Sequence, residues 1–324
     1  MKCGFAAIIG RPSVGKSTLL NTLCAEKVAI TSKAPQTTRN AIRGIVNRSG
    51  GQIVFLDTPG YHASGKKLNI YLMDVVHRSL SDADVVLYVI DGTRFSGREE
   101  NAIMELLKKS GKPVVAVINK TDLKIVSLAE IRNLVRVHLA PKALLNISAV
   151  NGSNLEELLE AILDCCPEGE RHYPDDVYTD QNPEFRISEI IREQAIARSE
   201  QEIPHALYVE IVDMEFQNTV VQSNSRPSTA QPDEAPENFL DDKAETRKNL
   251  WLRAFLMVER KSQVGILVGH GGKRIKAIRI GSLKAMRKIF PWKIRLDIRV
   301  KTNAKWRHED PLLRRITGLG NQVD

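Results

Sequence analysis

Five short apolar runs rich in β-branched residues recur in the first half of the chain: FAAIIG (5–10), QIVFLD (52–57), DVVLYVI (84–90), PVVAVIN (113–119) and ALLNIS (143–148). They are apolar almost throughout and do not alternate with polar residues, the mark of strands buried on both faces. Between them lie stretches with helical periodicity at 16–25, 68–80, 98–110, 127–139 and 154–165. Strands alternating with helices predict a mostly parallel sheet with helices on both sides, an α/β domain over residues 1–167. RNAIRGIVNR (39–48) is more polar and suits an antiparallel edge strand.

The pattern breaks near CCPEGERHYPDD (165–176), and residues 168–182 read as a Pro/Gly/Asp-rich linker. A second unit, α+β in pattern, follows over 183–317. It has a helix near 184–201, a strand ALYVEIV (206–212), a strand LRAFLMVER (252–260), a short helix, a GHGG turn, a longer helix (272–289) and a strand KIRLDIRVK (293–301). Residues 215–249 are polar, Pro-rich and poor in aromatics. Such a segment buries too little apolar area to order itself, so a long disordered insertion is expected there. No internal repeat is visible.

Length agrees with this division, since 324 residues exceed one ordinary core. No apolar run approaches the roughly 18 residues that would span a membrane. The run at the start leads straight into a glycine loop and reads as a first strand, not a signal peptide. Cys3, Cys24, Cys165 and Cys166 form no C-x-x-C pair, which suits reduced cysteines in a cytoplasmic protein. Net charge is +8 but uneven: residues 247–317 hold 20 Lys/Arg against 4 Asp/Glu, leaving 27 basic and 35 acidic residues elsewhere. A basic half beside an acidic half points to a polyanionic partner for the C-terminal unit.

Chemistry concentrates at the ends of the predicted strands. GRPSVGKST, comprising Gly10, Arg11, Pro12, Ser13, Val14, Gly15, Lys16, Ser17 and Thr18, fits G-x-x-x-x-G-K-[ST] between a strand and a helix. Glycines there let backbone N–H groups wrap phosphates, with Lys16 reaching the terminal oxygens and Ser17 holding Mg²⁺. Asp57, Thr58, Pro59 and Gly60 end the next strand. Asp57 can hold the metal through water, and the Gly60 N–H can meet a γ-phosphate. Asn119, Lys120 and Asp122 lie in NKTD. A carboxylate at Asp122 can accept from guanine N1–H and its exocyclic amine, which adenine lacks. Ser148 and Ala149 end the following strand, with the Ala149 N–H suited to guanine O6. In TSKAPQTTRNAI (31–42), Thr38 can close on Mg²⁺ with its hydroxyl and on the γ-phosphate with its N–H, an order–disorder switch in a stretch mobile without nucleotide. Lys16, Thr38, Asp57 and Gly60 are thus the catalytic candidates, and Ser17, Thr38 and Asp57 the metal candidates.

The second glycine turn comprises Gly269, His270, Gly271 and Gly272, followed by Lys273, Arg274 and Lys276. In the helix after it, Ile275, Ile278, Ser282, Met286 and Ile289 share one face, and the cations lie largely off it. In the last strand Ile294, Leu296, Ile298 and Val300 alternate with Lys293, Arg295, Asp297, Arg299 and Lys301, so one face packs and the other is cationic. Trp251, Trp292 and Trp306 are expected in the core or at the domain contact.

With these residues in hand, the chain resembles the Era family of bacterial ribosome-assembly GTPases over nearly its full length. GRPSVGKSTLLN, QTTR, FLDTPG, NKTD and ISA are similar to that family's P-loop GTPase domain. ISEIIRE (187–193), LMVERKSQ (256–263) and GHGGKRIKAI are similar to its type II KH domain. The resemblance implies a GTP-to-GDP switch, dependent on Mg²⁺, that binds the single-stranded 3′ end of small-subunit ribosomal RNA during assembly of the small ribosomal subunit. It implies a monomer and, in some members, peripheral association with the inner membrane, which no stretch of this sequence shows. A KH groove clamps about four nucleotides of single strand. On this reading the first glycine loop holds GTP and the second holds RNA. Tyr61 stands where many GTPases carry a water-orienting Gln, so turnover is expected to be slow. Ser13 stands where the family usually has Asn, which leaves K⁺ dependence open. Two further readings remain at this point, a GTPase acting elsewhere in translation and an RNA-binding protein with an inactive nucleotide site.

Overall fold

The computed structural model describes residues 1–32, 34, 37–62, 64–95, 97–199, 203–218 and 248–320. Its first unit runs β1 (Lys2–Ile9), α1 (Lys16–Cys24), β2 (Ile42–Arg48), β3 (Gly51–Asp57), α2 (Lys67–Asp82), β4 (Val85–Asp91), α3 (Arg98–Ser110), β5 (Val114–Asn119), α4 (Leu128–Leu139), β6 (Ala143–Asn146) and α5 (Leu155–Cys165). The strands form one sheet in the order β2-β3-β1-β4-β5-β6. All neighbours are parallel except β2, which pairs antiparallel with β3 as its polar sequence predicts. β3, β4 and β5 are buried at every position because helices cover both faces. Ile8, Phe55 and Val117 pack on one side with Leu19 and Leu158; Ile9, Tyr88 and Ile118 pack on the other with Ile103 and Val135. The C-terminal ends of β1, β3 and β5 therefore emerge at one edge, where ligands bind in sheets of this kind.

The second unit runs α6 (Pro183–Ala197), α7 (Ile203–Ala206), β7 (Tyr208–Asn218), β8 (Lys248–Val258), α8 (Lys261–Val268), α9 (Lys273–Met286), β9 (Lys293–Thr302) and α10 (Asp310–Thr317). Asn182 starts α6 by accepting the Phe185 N–H at 2.7 Å, with Pro183 pre-set for the first helical position. The sheet order is β7-β8-β9, antiparallel then parallel. One face carries Leu250, Leu252, Leu256 and Leu296, buried against Ile187, Ile190, Ile278 and Met286 of the helices. Leaving aside the one-turn α7, the order α-β-β-α-α-β is that of a type II KH domain.

Two expectations change. The insertion predicted over 215–249 is shorter at both ends, because 215–218 pair with 248–251 and extend the hairpin. Phe216 gives that extension a partner, meeting the Trp292 ring edge-on at 4.9 Å. Residues 219–247 lie outside the described residues. The linker is also not a free tether. The Tyr178 carbonyl accepts the Ile45 N–H at 2.9 Å, and Thr179 Oγ1 donates to Arg43 O at 2.8 Å. The segment thus covers the open edge of β2, which would otherwise present unpaired backbone groups.

Candidate functional site

The turn between β1 and α1 wraps the mouth of a cavity of about 420 Å³, lined by Pro12, Ser13, Gly15, Lys16, Ser17 and Thr18. Gly15 has φ 102°, and a Cβ there would stand 2.5 Å from Asn119 Nδ2, so only glycine serves. Lys16 Nζ donates to the carbonyls of Gly10 and Arg11 at 3.0 Å each. Burial holds its ammonium down to about 8, against the opposing pull of Asp57 and Glu100. Gly60 approaches the loop so closely that a Cβ would lie 2.6 Å from Pro12 Cα. Val14 packs into the core, Thr58 Oγ1 is turned inward to Ile8 O at 2.7 Å, and the Arg11 side chain leaves the pocket to pair with Glu99 at 2.7 Å. The side chains of these three are thus engaged away from the pocket, which leaves their backbone to face it.

Three oxygens converge beside Lys16. Ser17 Oγ donates to Asp57 Oδ2 at 2.6 Å, Thr38 Oγ1 lies 3.3 Å from the same oxygen, and the two hydroxyls are 2.9 Å apart. Asp57 is fully buried, and burial raises its carboxyl pKa against the pull of Lys16 and both hydroxyls. Among the described residues its Oδ1 is buried without a hydrogen-bond partner. An orphaned carboxylate oxygen among hard oxygen donors fits Mg²⁺. The three metal candidates are thus brought together as the sequence predicts.

The base end is built from NKTD and the turn after β6. Asn119 Nδ2 donates to Val14 O at 2.9 Å and its Oδ1 accepts the Ala149 N–H at 2.9 Å, tying both loops to the phosphate turn. The Ala149 N–H is therefore a brace here, not the free donor to guanine O6 that the sequence suggested. Ser148 Oγ donates to Asp122 Oδ1 at 2.6 Å and orients that carboxylate. Lys120 Nζ bonds Ser13 O at 2.9 Å and Asp91 Oδ2 at 2.6 Å. Asp91 was missed, although it ends β4 just as Asp57 ends β3. Tyr61 packs its ring against the core on the α2–α3 side, and its N–H donates to Gly10 O at 3.1 Å.

The switch segment touches the second unit, which no sequence motif announces. Arg192 Nη2 of α6 donates to Thr37 O at 2.5 Å, and the guanidinium is held by Glu189 at 2.6 Å. Glu193 accepts from the Thr31 N–H at 2.8 Å and pairs with Lys27 at 2.6 Å. Arg39 reaches the Leu207 carbonyl at 2.8 Å. Thr37 Oγ1 is turned to Ala34 O at 2.7 Å, so Thr38 alone faces the metal candidates. Lys33, Pro35 and Gln36 lie outside the described residues, so the mobility expected of this stretch concerns positions not covered there.

At the second glycine turn, Gly269, Gly271 and Gly272 have φ 70°, 55° and 74°. A Cβ on Gly271 or Gly272 would meet open space, so the backbone is accessible. His270, Lys273 and Lys276 are exposed, whereas the Arg274 guanidinium folds back on the Ile266 carbonyl and closes the end of α8. Ile278, Ser282 and Met286 are buried as the periodicity predicts. Of the three tryptophans, Trp306 is wholly buried and bonds Ala206 O at 3.1 Å, and Trp292 stacks on Phe290 at 5.0 Å. Trp251 departs from expectation, standing half-buried on the face of the sheet that the helices leave uncovered.

Comparison with known proteins agrees with this geometry. Residues 5–120 match the family model described as 50S ribosome-binding GTPase, and residues 237–307 match that of the KH domain. The chain is 45% identical over 321 residues to the GTPase Era of Treponema denticola, covering 98% of this chain and 100% of the relative. It is 42% identical to the GTPase Era of Treponema pallidum, covering 96% of each. Among solved structures it is similar to a tyrosine-to-alanine variant of Aquifex aeolicus Era bound to GDP·AlF4⁻, with a TM-score of 0.82, 32% identity and coverage of 98% and 99%. The same figures hold for Era in complex with MgGDPNP and nucleotides 1506–1542 of 16S ribosomal RNA. Identity of that size along almost the whole chain, with a phosphate turn, a base-reading loop and a KH turn in the same order, makes this chain a member of the Era family of GTPases.

Proposed function

We propose that this chain is a GTP-hydrolysing switch that binds a single strand at the 3′ end of small-subunit ribosomal RNA and assists assembly of the small subunit. One observation carries the reading. The threonine placed to close on the metal and γ-phosphate, Thr38, is joined through the Thr37 carbonyl to α6 of the KH domain. A change at the phosphate is thereby transmitted to the RNA-binding unit, the link that a nucleotide-controlled RNA binder requires.

In hydrolysis the chain contributes position and charge. The backbone of residues 10–18 cradles the phosphates, Lys16 offsets charge on the transferred group, and Asp122 selects guanine. When bound at Ser17, Thr38 and Asp57, Mg²⁺ supplies a counter-charge to the β- and γ-phosphates. Tyr61 is packed away from the pocket, so the attacking water relies on backbone groups such as the Gly60 and Thr38 N–H. That predicts slow intrinsic turnover, with potassium dependence as a direct assay of what Ser13 does in place of the family's usual Asn. The same reading has the chain monomeric in the cytoplasm. Among the described residues no helix is long and apolar enough to cross a membrane.

The test is fluorescence anisotropy of a short single-stranded RNA across a salt series. The parent should bind with a log–log slope of about −0.7 per phosphate neutralised, and a duplex of the same sequence should bind worse. The double variant His270→Asp, Gly271→Asp should lose most RNA affinity while keeping GTP affinity. RNA affinity equal to the parent's, in a variant folded by circular dichroism, would remove the turn from the RNA site.

A further inference from the structure

The KH sheet has a second face that the groove reading leaves unused. The helices and the GHGG turn occupy the side on which Leu252, Leu256 and Leu296 are buried. Alternation sends the charged residues of β9 to the opposite side. There the parallel register sets Trp251 beside Arg295, Arg253 beside Asp297 and Phe255 beside Arg299. The segment holding Trp306 and Leu313 covers the Tyr208–Met257 end of this face and reaches Phe255. Lys293, Arg295, Arg299 and Lys301 remain exposed.

The acids on this face are fewer than its cations, and one of them, Glu215, is exposed beside Trp251. Asp297 is taken by Arg253 at 3.3 Å and by Arg299 at 3.2 Å, and Asp213 pairs with Arg253 at 3.1 Å. Among the described residues Lys293 and Arg295 have no ion pair. Arg253 lies 4.9 Å from the centre of the half-buried Trp251 ring. Cations two residues apart on a strand stand about 6.6–6.8 Å from one another, a run suited to successive phosphates. Trp251 beside them offers a surface on which a base can stack.

We propose that this outer face, through Lys293, Arg295 and Trp251, binds a second stretch of single-stranded RNA, continuous with the strand held at the GHGG turn. The inference rests on the RNA-binding reading above and adds a site on the opposite side of the same sheet. Charge favours a polyanion. A ring half sunk beside Arg253 suits a stacked base better than insertion into lipid. The face extends the contact and raises affinity for long strands through effective concentration, with no effect on short ones.

The experiment uses the full chain with a non-hydrolysable GTP analogue and two RNA probes. One is a strand of about six nucleotides, little longer than the about four that a KH groove clamps; the other contains it and is several times longer. Lys293→Glu with Arg295→Glu should weaken the long strand by about tenfold, flatten its salt slope by about 1.4 and leave the short strand unchanged. Lys293→Gln with Arg295→Gln should do the same in smaller measure, which guards against a folding defect from charge reversal. Trp251→Leu should weaken the long strand only. Equal loss on both strands, or no loss on either, overturns the proposal. So does unchanged RNA affinity with lost binding to vesicles rich in anionic lipid, which would assign the face to a membrane surface. The His270→Asp, Gly271→Asp variant run in parallel separates the two readings: it should lose the short strand. If it does not, the groove assignment fails whatever the sheet face does.

Discussion

Lys16 and Asp57 are both buried, yet burial works on them in opposite directions. It lowers the lysine pKa to about 8 and raises that of the aspartate. For Lys16 the unfolded chain, near the ordinary 10.5, holds more protons than the folded one between about 8 and 10.5. Stability of the nucleotide-free protein should therefore rise with pH across that window, and the cost of the buried ammonium stands in full below it. GTP affinity should move the other way, falling as the ammonium discharges above about 8. Lys16→Met should abolish both trends, read by thermal unfolding and nucleotide titration over pH. Asp122 makes a separate prediction. On the proposed reading its carboxylate would accept two guanine donors, each charged hydrogen bond worth about 1.5–3 kcal/mol, so Asp122→Asn should weaken GTP by at least about a hundredfold. The amide should favour xanthine nucleotide, whose carbonyl accepts where guanine's amine donates. Equal affinity of the parent for ATP and GTP would contradict this role. Gly60→Ala places a methyl group against Pro12. The two turns cannot then keep their spacing, and hydrolysis should fall more than GTP affinity does.

At the scale of elements, α6 joins the two sites. Arg192 is almost fully buried, is paired to Glu189 and donates to Thr37 O, while its Nη1 has no hydrogen-bond partner among the described residues. Arg192→Ala strands Glu189 and should cost about 3 kcal/mol, measured by denaturant unfolding. It should also uncouple RNA from GTP hydrolysis at temperatures where the protein stays folded. The helices and strands of the first unit were legible because their apolar periods differ so plainly. The residues that meet at the pocket were legible where a motif ends a buried strand, as at β1, β3 and β5, which all finish at one edge of the sheet. The α6 contact was not legible: Arg192 reads as one more charge on an amphipathic helix until tertiary packing sets it against Thr37. The full hairpin was hidden because 215–218 find their partners only beyond a long polar segment. Alternation in β9 revealed that one face packs and the other is charged. It does not give the side on which the GHGG turn lies, which is set by the packing of Leu267 and Ile278 on the apolar face of the sheet. The linker's composition spoke for a tether, whereas the open edge of β2 gave it a place to dock.

For the whole molecule, two polyanion sites of different kinds are joined through a contact that is polar around α6 and apolar where Leu68 and Leu72 of α2 pack with Trp306 and Leu313. Between the units lies a cleft of about 730 Å³ lined by charges of both signs, among them Arg43, Asp180, Glu189 and Arg315. Lys67 and Tyr71 of α2 hold Asp310 at 2.8 and 2.5 Å on its far side. The Arg192 bond to Thr37 O crosses this boundary next to Thr38. A change at Thr38 can thus shift the KH domain, and RNA held by that domain can steady Thr38. The uneven charge does not follow this division, since residues 1–167 carry 21 Lys/Arg against 15 Asp/Glu; the acidic excess lies in residues 168–246, and the basic one in 247–317, which hold the GHGG turn. On this reading the two sites act on each other. Single-turnover GTP hydrolysis, with and without a saturating short single-stranded RNA, tests it in the parent and in the His270→Asp, Gly271→Asp variant. RNA should accelerate the parent and leave the variant at its own basal rate, with that basal rate equal to the parent's. Hydrolysis in the parent that ignores RNA, or a variant accelerated as fully as the parent, would contradict the account.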